Sequence, residues 1–82
     1  MDLSPAHPGT PAAFARVVDE AIRAANLSNV EAAERTGIAR ETLNRKRAGK
    51  GKPFDAAEQK ALADLLGTTV SALWKQAEGV AA

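Results

Sequence analysis

Seven lysine or arginine side chains crowd into twenty residues of this chain. They are Arg35, Arg40, Arg45, Lys46, Arg47, Lys50 and Lys52, within AERTGIARETLNRKRAGKGK, residues 33–52. Glu34 and Glu41 are the only acidic residues of the stretch, so its net charge is five positive units. The other 62 residues hold four basic and eight acidic side chains and are four negative. A basic segment in an otherwise acidic chain is suited to holding a polyanion, while the acidic faces orient the approach. The residues among the cations extend this chemistry. Arginine pairs with guanine O6 and N7, asparagine with adenine, and glutamate accepts from cytosine N4.

Other chemistries find little support. The chain has no cysteine, hence no disulfide framework and no thiolate metal site. His7 is the single histidine and cannot build a metal cluster or a nucleophilic triad. It lies between prolines in SPAHPGTP and reads as an exposed tail residue. KGK lacks the spacing of a phosphate-binding loop. No enzyme activity, cofactor or small-molecule ligand is expected. No apolar run approaches the roughly 18 residues of a membrane span, and the start has no signal-peptide pattern. A cytoplasmic protein without a membrane partner is the expectation.

The elements that must position the cations read as helices. Eighty-two residues fit one small domain, and alanine is abundant while aromatics are limited to Phe14, Phe54 and Trp74. Residues 1–9 have no periodicity and read as a flexible arm. Thr10 before Pro11 predicts an N-cap, and Phe14, Val17, Val18, Ala21, Ile22 and Ala25 recur at helical spacing to near Asn26. Ser28 with Glu31 predicts a capping box for a short helix over 29–36, with Ala32 and Ala33 inward and Gly37 as its stop. A second short helix is predicted from Arg40 to Ala48, stopped by Gly49. Asp55 and Glu58 form another box before Leu62, Leu65 and Leu66, and Gly67 ends that helix. Thr69 caps a last helix carrying Val70, Leu73, Trp74 and Ala77. The expected fold is all-α with five helices over residues 10–79 and a tail at 80–82.

Two short helices joined at Gly37, with Ile38 and Leu43 holding the second across the first, predict a helix-turn-helix whose second helix enters the major groove of DNA. Ala33 and Gly37 are expected to permit close approach of the two. On these residues the segment LSNVEAAERTGIARETLNRKRAG resembles the helix-turn-helix of the lambda-repressor-like (Cro, XRE) family. Asn29, Ala33, Gly37, Ile38 and Leu43 stand at the positions of the family pattern. FDAAEQKALADLLGTTVSALW is similar to the family's fourth and fifth helices, so the likeness spans about residues 12–78. NRKRAGKGKPF is similar to the corresponding part of phage and actinobacterial members. The resemblance implies a compact five-helix DNA-binding domain of a repressor-type transcription regulator in a bacterial cell, associated with the nucleoid. Its partner would be double-stranded operator DNA, with a homodimer on a two-fold operator as one form of the complex.

With Leu43 inward, steps of about 100° per residue turn Glu41 and Arg45 outward and put Thr42, Asn44 and Ala48 on the flanks. The resemblance places base contacts at Ala39, Arg40, Glu41, Asn44 and Arg45, which overlaps this wheel. Ser28, Asn29, Arg35, Thr42, Lys46, Arg47, Lys50 and Lys52 are the expected phosphate contacts. Lys46 and Arg47 occupy places where the family has apolar residues; their stems can lie along apolar surface while the charges reach water or phosphate. Two readings stay open for several residues. Glu41 either reads cytosine or pairs with Arg45 one turn on. Val70, Leu73, Trp74 and Ala77 either complete the core or form a dimer contact. The whole chain could instead be an antitoxin or co-regulator that uses the same fold to bind a protein.

Overall fold

The computed structural model of the protein describes residues 9–81, with backbone alone for residues 80 and 81. The expected arm at residues 1–8, His7 included, and residue 82 lie outside the described residues. Five helices follow one another: α1 (Pro11–Ala24), α2 (Asn29–Thr36), α3 (Arg40–Arg47), α4 (Ala56–Leu66) and α5 (Val70–Ala81). No strand occurs among the described residues. The last helix continues through Ala81, so the expected tail from residue 80 is helical up to that point.

Local chemistry sets the helix ends. Thr10 Oγ1 accepts from the Ala13 amide at 3.0 Å, and Pro11 occupies the first helical place. Ser28 and Glu31 form a reciprocal capping box at the start of α2, and Asp55 and Glu58 do the same for α4. Thr69 Oγ1 accepts from the Ala72 amide at 3.0 Å. The chain leaves α1 through Asn26, whose φ of 63° is tolerated by a short polar side chain.

Gly37 has a φ of 79° and closes α2 with a bond from its amide to the Ala33 carbonyl. A Cβ built on Gly37 meets nothing within 4 Å. The expected close approach of helices at Gly37 is therefore corrected: the glycine is required by backbone conformation. Gly37→Ala is expected to lower stability by about 1–2 kcal/mol. Urea unfolding would register this as a lower midpoint at unchanged slope, and an unchanged midpoint would refute it.

The core is assembled on α1, which buries Ala13, Phe14, Ala15, Val17, Val18 and Ile22. This helix packs along α5 and also against α3 and α4, while α2 packs on α3 and α4. Phe14, Val18, Ile22, Leu43, Leu62 and Leu73 are fully buried, and among the described residues no polar or charged residue is buried with them. The aromatic side chains form one cluster. Phe14 lies 4.5 Å from Trp74 and 6.3 Å from Phe54, ring centre to ring centre. Gln59 bridges this cluster, accepting from Trp74 Nε1 and donating to the Phe54 carbonyl, both at 3.0 Å. Gly9 also touches α5: a Cβ there would stand 3.0 Å from Ala77 Cβ.

Candidate functional site

α2 and α3 are joined by Gly37, Ile38 and Ala39 and pack on each other. Leu43 is the only buried residue of α3, with Ile38 buried just before the helix. The rest of the helix surface is left for other uses. Ala39, Arg40, Glu41, Asn44 and Arg45, the five residues expected to read bases, are all exposed. Ala39 supplies no side-chain cap, so the first-turn amides of α3 carry no side-chain acceptor. Glu41 is the acidic side chain of that first turn and faces the positive end of the helix dipole beside Arg40.

The loop after α3 is built from left-handed glycines, with φ of 77° at Gly49 and 72° at Gly51. It folds back so that the Lys50 amide donates to the Arg45 carbonyl at 2.9 Å. The Arg45 guanidinium lies along Gly51, 3.5 Å from where a Cβ would stand. Lys50 and Lys52 project from this loop and are exposed.

Two expected phosphate contacts are placed elsewhere. Lys46 Nζ sits 2.6 Å from Glu58 Oε1, with 15% of its side chain exposed, and 6.0 Å from the centre of the Phe54 ring. Arg47 is 10% exposed; its Nε donates to Asp19 Oδ1 at 2.8 Å and its Nη1 to Asn29 Oδ1 at 3.0 Å. These two cations sit where apolar residues were expected from the resemblance, and they are drawn inward by acidic partners on α4 and α1. Within the fold both serve as interhelical ties. Asn29 joins them: its Nδ2 donates to the Arg40 carbonyl at 3.1 Å, so both ends of its amide are engaged within the fold.

Ser28 is exposed, but its hydroxyl oxygen accepts from the Glu31 amide at 3.0 Å. The Ser28 amide in turn donates to Glu31 Oε1 at 3.0 Å. That backbone bond is the main reason the Glu31 carboxyl is held below its ordinary value; the Ser28 hydroxyl and the charge of Arg35 act the same way and desolvation opposes them. The stabilisation from this depressed carboxyl is present at neutral pH and is lost as acid protonates Glu31. Arg35 is exposed and Thr42 half-buried. Arg35, Arg40, Arg45, Lys50 and Lys52 have no ion-pair partner among the described residues. With Glu34 and Glu41 set against them, the exposed part of the segment is three positive units.

The helical stripe on α5 resolves toward the core. Leu73 and Ala77 are 1% and 0% exposed and belong to the core of the chain. Val70 and Trp74 are partly buried and packed against the same core, because α1 lies along α5. Three residues that matter here escaped sequence reasoning: Asp19, Glu58 as a partner for Lys46, and Gln59. The available signal was that a cation at an inward-facing place needs an anion beside it.

No group of three or more His, Cys, Asp or Glu that could hold a metal occurs among the described residues, and no helix there is long and apolar enough to cross a membrane. Comparison with protein-family models, with curated proteins and with solved structures gave no match to this chain.

Proposed function

We propose that this chain is a sequence-specific double-stranded DNA-binding transcription regulator of the repressor type. In this reading α2 and α3 act as a helix-turn-helix and α3 lies in the major groove. One observation carries it: Arg40, Glu41, Asn44 and Arg45 form an exposed row on a helix whose opposite anchor, Leu43, is 0% exposed. These side chains supply the donors and acceptors that distinguish base edges. Arg35, Lys50 and Lys52, without an ion-pair partner among the described residues, supply with the backbone amides at the start of α2 phosphate contacts that fix register without reading sequence. Occupancy of an operator would exclude polymerase, and a pair of subunits would match a two-fold operator.

The test is to select preferred duplexes from a random pool and to measure binding to them and to random DNA at several salt concentrations. Equal, weak binding to both would remove the reading. Lys50→Ala is expected to weaken binding to all sequences alike and to reduce the slope of log affinity against log salt by about one. A loss confined to one base pair would contradict the phosphate role of Lys50.

A further inference from the structure

α3 is an eight-residue helix with one buried side chain, Leu43. A single apolar anchor fixes where the helix sits but constrains its rotation weakly, because apolar contact is non-directional. Directional contacts are supplied by the Lys46–Glu58 pair to α4 at 2.6 Å and, at both ends of the helix, through one amide. Asn29, the first residue of α2, donates from Nδ2 to the carbonyl of Arg40 at 3.1 Å and accepts at Oδ1 from Arg47 Nη1 at 3.0 Å. Arg40 and Arg47 are the first and last residues of α3. The Arg47 fork also holds Asp19 of α1, with Nε and Nη2 both 2.8 Å from Oδ1. Asp19 is itself steadied by Arg23 Nε at 3.0 Å. Both ends of α3 are therefore tied to α2, and the far end to α1, by groups with narrow angular tolerance. An apolar side chain in place of Arg47 would fill the site with less desolvation but would not hold an angle.

We propose that the side chains of Asn29 and Arg47 are positioning groups: without themselves touching DNA, they set the rotation of α3 and so decide which base edges Arg40, Glu41, Asn44 and Arg45 reach. The inference rests on the DNA-reading function proposed above. Arg47→Met keeps a long apolar stem in the buried site while removing the fork. Asn29→Asp keeps an acceptor for Arg47 but sets a carboxylate oxygen against the Arg40 carbonyl.

The experiment measures, for wild type and both variants, affinity for the selected duplex and for duplexes changed at single base pairs, over a range of salt, with thermal unfolding alongside. Both variants are expected to fold and to lose about tenfold in discrimination, the scale of one misaligned base contact, at the wild-type salt slope. If Arg47→Met does not fold, Asn29→Asp carries the test. A salt slope reduced by about one with discrimination intact would make Arg47 a phosphate contact and overturn the proposal. Unchanged discrimination at unchanged slope would make the ties mere filling and also overturn it. If wild type itself selects no preferred duplex, the DNA-reading function fails and this inference falls with it. If wild type discriminates and both variants do so equally well, this inference alone fails.

Discussion

Phe14→Ala is expected to destabilise the protein by about 3–5 kcal/mol, the range for deleting a buried aromatic ring. Phe14 is 2% exposed and its ring contacts both Trp74 and Phe54. Removing it leaves a cavity at the seam where α1 meets α5, and the neighbouring rings lose their partner. A chain of this length has roughly 4–12 kcal/mol in total, at about 0.05–0.15 kcal/mol per residue. The substitution should therefore remove a large share of the total and lower the thermal midpoint. Circular dichroism on heating reads the loss of helix. The emission of the single Trp74 reads the cluster directly, because its indole lies 4.5 Å from the Phe14 ring. Val30, 42% exposed, provides the contrast: Val30→Ala should change stability by no more than about 0.5 kcal/mol. Equal effects from the two substitutions would mean that the aromatic cluster does not hold α1 to α5.

The second large effect concerns recognition. Under the DNA-binding reading, Arg45→Ala is expected to cost about 1–3 kcal/mol of discrimination at one base pair, or about 5- to 150-fold. Arg45 is exposed, points away from the Leu43 anchor, and is steadied along Gly51. An arginine held in this way loses less rotamer freedom when it pairs with a base. The expected signature is a relaxed preference at one position of the selected duplex with little change at others. A uniform loss over all sequences, with a salt slope smaller by about one, would place Arg45 on phosphate instead. Arg16, exposed on α1, serves as the comparison, since its substitution should alter neither preference nor slope.

Much of the architecture is readable along the chain because it is local. Except in α3, each N-cap side chain and the residue it satisfies lie three positions apart, as with Ser28 and Glu31 or Asp55 and Glu58. Helix stops at Gly37 and Gly67 follow from a backbone angle that other residues resist. The inward positions of Ala32, Ala33 and Leu43 follow from helical periodicity and from what each side chain gains by leaving water. The exposed row on α3 is the complement of the same pattern.

Other features depend on residues far apart in sequence. Lys46 and Arg47, expected to reach phosphate, have side chains only 15% and 10% exposed, and spacing along the helix cannot say what meets their charges. Glu58 is 12 residues from Lys46, and Asp19 is 28 residues from Arg47. The same holds for the stripe on α5. Leu73 and Ala77 form an apolar line whether it faces a second subunit or α1, and packing of α1 along α5 decides for the core.

By itself, then, the sequence determined five helices, their caps and stops, and which side of each is apolar, since those depend on neighbours within one helical turn. Only the tertiary structure decided which cations stay exposed and which are spent joining helices. A charge on the surface of a helix looks the same in sequence in either role. Its role depends on whether another helix brings an acid within hydrogen-bonding distance.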